Sequence, residues 1–136
     1  MIDTRTGTVA ACGASAGLHG ALFAVHAGEL PLHSAAFLTA ALLLALAGLA
    51  VAYRPDAGAG PAFAAALFAA LLVAYPLARH EPFDAVAGVA KAVEIVGLVL
   101  SLRLLRLRPA VGEPGIVVVF LICAAAGIML GGGHGH

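Results

Sequence analysis

LHSAAFLTAALLLALAGLAVAY, residues 32–53, runs through 22 positions without one Asp, Glu, Lys or Arg. A soluble helix of that length needs a polar stripe facing water, and a helix apolar all round belongs inside a large core or a bilayer. At 1.5 Å per residue the stretch reaches about 33 Å, enough to cross a hydrocarbon layer roughly 30 Å thick. Four more stretches read the same way: 7–27, 60–78, 84–104 and 115–131. An open strand edge cannot be satisfied in lipid, so each is expected to be a helix. Between them lie Gly28-Glu29-Leu30-Pro31, Arg54-Pro55-Asp56-Ala57-Gly58, Arg79-His80-Glu81-Pro82, and the segment from Arg108-Pro109 to Pro114-Gly115. Such Pro/Gly punctuation ends helices, and loops this short make consecutive helices antiparallel neighbours. The expected fold class is therefore all-α, an integral membrane helical bundle with five transmembrane helices. Four is the alternative if the first stretch, the least hydrophobic, stays out of the bilayer.

Composition supports a single domain over residues 1–136, because five helices of about 20 residues would use roughly 100 of them. Hydrophobic residues make up 62% of the chain and charged residues 10%, with seven basic groups balancing seven acidic ones. No basic stripe is present, so a nucleic-acid partner is not expected. Cys12 and Cys123 both lie in apolar runs and read as packing residues rather than a disulfide. Val9-Ala10-Ala11-Cys12 looks like a lipoprotein processing site but lacks the apolar core that a signal carries upstream. The first stretch is thus expected to stay in the chain as a span. Gly13-Ala14-Ser15-Ala16-Gly17 within it is a GxxxG pattern that lets helices approach closely, and its plainer reading is packing inside the bundle rather than a dimer seam. Tyr53 and Tyr75 read as interfacial anchors, and Pro76 as part of a helix end.

Orientation follows from the basic residues at the span ends. With five spans, Arg5, Arg54, Arg103, Arg106 and Arg108 share one side and Arg79 sits on the other. That places the N-terminus in the cytoplasm and the C-terminus outside. Arg103, Arg106 and Arg108 then face lipid headgroups and stop transfer, with the bilayer as the first partner.

Lys91 and Glu94 are too deep in the fourth span to reach the interface. Three apart, they share a helical face and can pair. Buried ionisable groups are costly unless paired or solvated, so they mark either a structural ion pair or a functional site. His19 falls at the same level. Counted from the span ends it lies about 12 Å below the outer face, against about 10 and 15 Å for Lys91 and Glu94, at 1.5 Å per residue. An intramembrane cluster of His19, Lys91 and Glu94 is expected between the first and fourth helices, with backbone bonding of a lone histidine as the plain alternative.

His26, His33, His80, His134 and His136 all emerge on the outer side in the five-span arrangement, together with Glu29, Glu81 and Asp84. Imidazoles and carboxylates are ligands for Zn²⁺, Cu²⁺ or Ni²⁺, so a divalent metal ion is the expected cofactor if that surface converges. No HExxH or CxxC pattern accompanies them, and solvated loop residues are the plain alternative.

The order His19…His26, Arg54-Pro55, then Glu81-Pro82-Phe83-Asp84 leading into Lys91-Ala92-Val93-Glu94 resembles an uncharacterised group of small multi-pass proteins from alanine-rich bacterial proteomes, over roughly residues 19–100. The resemblance implies a bacterial cytoplasmic membrane and attaches no activity to these residues. Three functions follow as expectations. One is a binding or accessory membrane protein with an extracytoplasmic metal site. Another is a small transporter or channel subunit built on the Lys/Glu/His cluster. The third is a haem-binding electron-transfer subunit, which would need two histidines on facing helices. A homo-oligomer or a partner membrane subunit would suit each, and no nucleophile motif or cofactor fingerprint suggests an enzyme.

Overall fold

Local sequence explains where two of the helices begin. Asp3 precedes the first and accepts from the Thr6 amide at 2.8 Å and the Thr6 hydroxyl at 2.9 Å, satisfying donors that a helix start leaves free. The Thr6 amide, first of several causes, holds the Asp3 carboxyl below its ordinary range. Asp84 does the same for the helix that starts at Ala85, taking the Ala87 amide at 2.7 Å. A computed structural model describes residues 3–28, 31–54, 57–78 and 84–106. Within them run α1 (Thr4–His26), α2 (Pro31–Tyr53), α3 (Ala59–Ala78) and α4 (Ala85–Arg106), with no strand among the described residues.

All four are long and apolar enough to cross a membrane. The expectation of five such helices is corrected to four among the described residues, the number of the alternative. The first stretch is nevertheless one of them, so the alternative's reason for four does not hold. The fifth stretch, 115–131, falls outside the described residues. α1 packs most extensively on α2, and α3 on α4; the pairs α1–α4 and α2–α3 close the ring into an antiparallel four-helix bundle.

The bundle is apolar outside and partly polar inside, as expected where the surrounding solvent is hydrocarbon. Leu38, Leu42, Leu46 and Leu49 of α2 and Val86, Val89, Val96 and Val99 of α4 face outward. The centre is filled by Ala11 and Cys12 of α1, Leu44 and Ala47 of α2, and Ala64, Leu67 and Phe68 of α3. Small residues set the helix separations. A methyl at Gly48 would lie 3.1 Å from Cys12 Cβ, and one at Gly97 would lie 2.5 Å from Phe68 Cε2, so the Phe68 ring rests directly on the α4 backbone. Gly60 is tighter in a different sense, because a Cβ there would approach the Val51 backbone nitrogen to 3.1 Å where α3 starts beside the end of α2.

The GxxxG pattern does not pack inside this bundle. Gly13 and Gly17 are exposed, and a Cβ on either would meet nothing within 4 Å among the described residues. α1 turns its other face inward, the one bearing Thr8, Ala11, Cys12, Ser15 and His19. Removing three polar side chains from lipid outweighs the closer backbone approach that two glycines offer.

The Arg5 guanidinium joins α1 to α2. Its Nε donates to the Val51 carbonyl at 3.3 Å and its Nη2 to the Ala52 carbonyl, two of the acceptors that a helix C-terminus leaves without partners. The start of α1 and the end of α2 therefore lie on one side of the bundle.

Candidate functional site

α1 and α4 each place polar residues on the face they turn toward one another. On α1 these are Thr8, Ser15 and His19, separated by seven and four residues; on α4 they are Glu94 and Ser101, separated by seven. Those intervals return to one side of a 3.6-residue helix, and all five side chains are buried. A methyl at Gly7 would come within 3.0 Å of Leu100 Cδ1, while His19 faces Glu94. Together these contacts set the antiparallel register, with Thr8 near the level of Ser101 and Ser15 between that level and Glu94. Sequence reasoning singled out the charged residues and missed the hydroxyls, although the seven-residue spacing was there to find.

At the centre of this face, the structure brings His19, Lys91 and Glu94 together. Glu94 is wholly buried. Lys91 Nζ donates to Glu94 Oε2 at 2.5 Å, an i,i+3 pair on α4. Lys91 has two further partners, both on α3: Nζ donates to the Leu71 carbonyl at 3.2 Å and lies 4.8 Å from the centroid of the Tyr75 ring. Tyr75, expected as an interfacial anchor, thus presents its face to an ammonium, which the ring quadrupole attracts. Leu71 is next to Leu72, whose carbonyl loses its usual i+4 donor because Pro76 has no N–H. The last turns of α3 accordingly offer an electronegative surface to Lys91.

The other Glu94 oxygen is placed differently. Oε1 lies 3.8 Å from His19 Nε2, close enough for charge attraction but beyond a hydrogen bond. Among the described residues Oε1 therefore has an ionic neighbour but no hydrogen-bond partner, and Ser15 Oγ, also buried, has none either. The His19 ring is oriented by Nδ1, 2.8 Å from the Ser15 carbonyl. A carbonyl can only accept, so this bond assigns a proton to Nδ1 and leaves Nε2 to gain or lose one. His26 repeats the pattern one heptad later, with Nδ1 2.9 Å from the Leu22 carbonyl. Both rings lean on Phe37 of α2, with centroids 6.1 Å away for His19 and 5.5 Å for His26.

The expected metal ligands do not assemble from the parts that are described. Asp84 uses its carboxylate to cap α4, and His26 packs against Phe37. Glu29, His80, Glu81, His134 and His136 lie outside the described residues, as does the side chain of His33. Among the described residues no three His, Cys, Asp or Glu side chains are grouped to hold a metal ion. His19 and His26 belong to one helix, and α2, α3 and α4 show no described histidine side chain opposite them that could complete a haem ligand pair. Arg103 and Arg106 are exposed on the last turn of α4, where positive charge also complements the helix dipole; Arg108 lies outside the described residues.

The class this defines is an all-α bundle of membrane-crossing length with an ionisable cluster in its interior. No known protein family, curated protein or solved structure matches the chain.

Proposed function

We propose that this chain is a small transporter or channel subunit of a bacterial cytoplasmic membrane, and that the polar face between α1 and α4 is its pathway. The observation that carries this reading is Glu94, a fully buried carboxylate with one oxygen on Lys91 and the other without a hydrogen-bond partner among the described residues. A carboxylate kept for structure alone would be expected to have both oxygens satisfied, since an unmade bond in low dielectric is costly. Continuity of the polar face gives further support. From Thr8 to His26 α1 rises about 27 Å, nearly the roughly 30 Å of a hydrocarbon core. Thr8, Ser15, His19 and His26 mark that distance on α1, with Glu94 and Ser101 beside them on α4.

Reconstitution into phospholipid vesicles tests this directly. An imposed ion gradient should decay faster through wild-type protein than through empty vesicles, with protons, sodium and potassium tested in turn. Glu94→Gln, nearly the same volume, should return the decay to that of empty vesicles. Thr39→Val should conduct normally, because Thr39 is exposed on α2 and takes no part in the α1–α4 face. Equal decay in wild type and Glu94→Gln would defeat the reading.

A further inference from the structure

The ligand of the Glu94 site can be read from which donors and acceptors are already committed. Glu94 Oε2 holds Lys91, and His19 Nδ1 holds the Ser15 carbonyl. Among the described residues three groups are left: Glu94 Oε1 and Ser15 Oγ, which have no hydrogen-bond partner there, and His19 Nε2, which faces Oε1 at 3.8 Å. We propose that the gap between Glu94 Oε1 and His19 Nε2 is a proton-binding site, with Lys91 as its built-in counter-ion. This deepens the transport reading, on which the use of the bound proton rests.

A proton fits this donor set better than a metal or alkali cation. Hard cations take about six or more oxygen ligands, and a structural zinc takes four nitrogen, sulfur or oxygen ligands. Among the described residues the site offers one carboxylate oxygen and one imidazole nitrogen, 3.8 Å apart. The carboxylate charge is also already matched by the Lys91 ammonium, so a metal ion would face a like charge across a single carboxyl group. A proton avoids this by converting the carboxylate into an acid. The surrounding packing argues the same way. Phe68 is fully buried on the α4 backbone at Gly97, one helical turn from Glu94, with Cys12 and Leu44 in the same core. A proton needs only lone pairs and no room for a hydration shell.

Among the described residues the charged and titratable groups around Glu94 are few. α1 contributes His19. α3 contributes Tyr75 and the Leu71 carbonyl, both engaged with Lys91, and α4 itself contributes Lys91. Residues 34–53 of α2 contain no Asp, Glu, Lys or Arg, and that helix sets Phe37 against the His19 ring. In the binding step a proton adds to the Nε2 lone pair of neutral His19, giving an imidazolium with N–H at both nitrogens. A small side-chain movement closes the 3.8 Å gap to a hydrogen bond. Transfer to Oε1 breaks the Nε2–H bond, forms O–H and restores neutral imidazole; no electron changes hands. Lys91 loses an ion pair but keeps the Leu71 carbonyl and the Tyr75 ring, so its ammonium is not stranded.

The test uses the full chain in lipid nanodiscs, titrated across the histidine range. Infrared difference spectra report a protonated carboxyl group, and ¹⁵N shifts of labelled histidine report Nε2 of His19. The expected result is that a carboxylic-acid band and His19 Nε2 protonation change together. Glu94→Gln should abolish the band and displace the His19 midpoint. If Glu94→Gln does not fold, His19→Gln read on the Glu94 band serves instead, and that band's midpoint should move. A Glu94 group that never gains an acid band, with His19 titration unaffected by the substitution, overturns the proposal. So does a band that responds to sodium at constant pH, which would assign the site to an alkali cation. Coupled titration in a protein that dissipates no gradient supports the proton site and removes the transport reading alone.

Discussion

Lys91 and Glu94 depend on each other unequally. Glu94 Oε2 has Lys91, whereas Lys91 has Glu94, the Leu71 carbonyl and the Tyr75 ring. The side chain of Glu94 is 0% exposed and that of Lys91 17%. Leaving one member of a buried pair without its partner costs on the order of 3–5 kcal/mol, while replacing both by apolar groups costs far less. Lys91→Met should therefore be the worse single change at neutral pH, near the top of that range, with Glu94→Ala below it. The double variant should lose less than the sum of the two. Denaturant or thermal unfolding in detergent, taken as a double-mutant cycle, checks the ranking; simple additivity would show that the pair is not coupled. The i,i+3 spacing and matching depths made this cluster legible from residues alone. The Leu71 carbonyl and Tyr75 ring were not legible, because they come from another helix and one is main chain. Asp84 shows a local signal passed over: an Asp just before an apolar helix is a cap before it is a metal ligand.

At the scale of elements, the α3–α4 contact is set by one large and one absent side chain. Phe68 lies on Gly97, and a methyl there would overlap the ring. Gly97→Ala should destabilise the bundle by about 1–3 kcal/mol, the usual cost of overpacking, despite alanine's better helix propensity. Phe68→Leu in the same chain should recover part of that loss by removing the overlapping ring atoms. Unfolding of the single and double variants measures this, and a stabilised Gly97→Ala would mean that the ring does not sit on that backbone. The contrast with Gly13 and Gly17 is instructive. Three glycines in apolar helices look alike in sequence, yet one is a packing site and two face outward. Which applies depends on how each helix is rotated about its own axis.

For the whole molecule, the antiparallel ring predicts sidedness. Arg5 holds the start of α1 to the end of α2, and Arg54, Arg103 and Arg106 belong to the same end of the bundle. The excess of basic residues there predicts a cytoplasmic location. Single cysteines at Thr4, Gly58 and Gly28, introduced after removing the native cysteines, should separate the two sides in intact cells. An impermeant thiol reagent should label Gly28 and spare Thr4 and Gly58. Labelling of Thr4 and Gly58 with Gly28 spared would invert the orientation, and labelling of Thr4 without Gly58 would break the ring itself.

Sequence alone determined the medium and the elements. Long uncharged runs cannot be solvated as helices, Pro and Gly interrupt them, and an Asp before α1 and before α4 caps a helix start; each of these acts within a few residues of chain. It also identified His19, Lys91 and Glu94, because ionisable groups are conspicuous in hydrocarbon. Tertiary structure decided which faces meet. α2 and α3 are apolar on every side, so lipid gives them little reason to prefer one rotation, and the choice falls to packing. In α1, removing polar side chains from lipid turned Thr8, Ser15 and His19 inward and left the glycines outside. The assembled bundle also set His19 Nε2 opposite the Glu94 oxygen that lacks a hydrogen bond among the described residues, and gave Lys91 its two partners on α3.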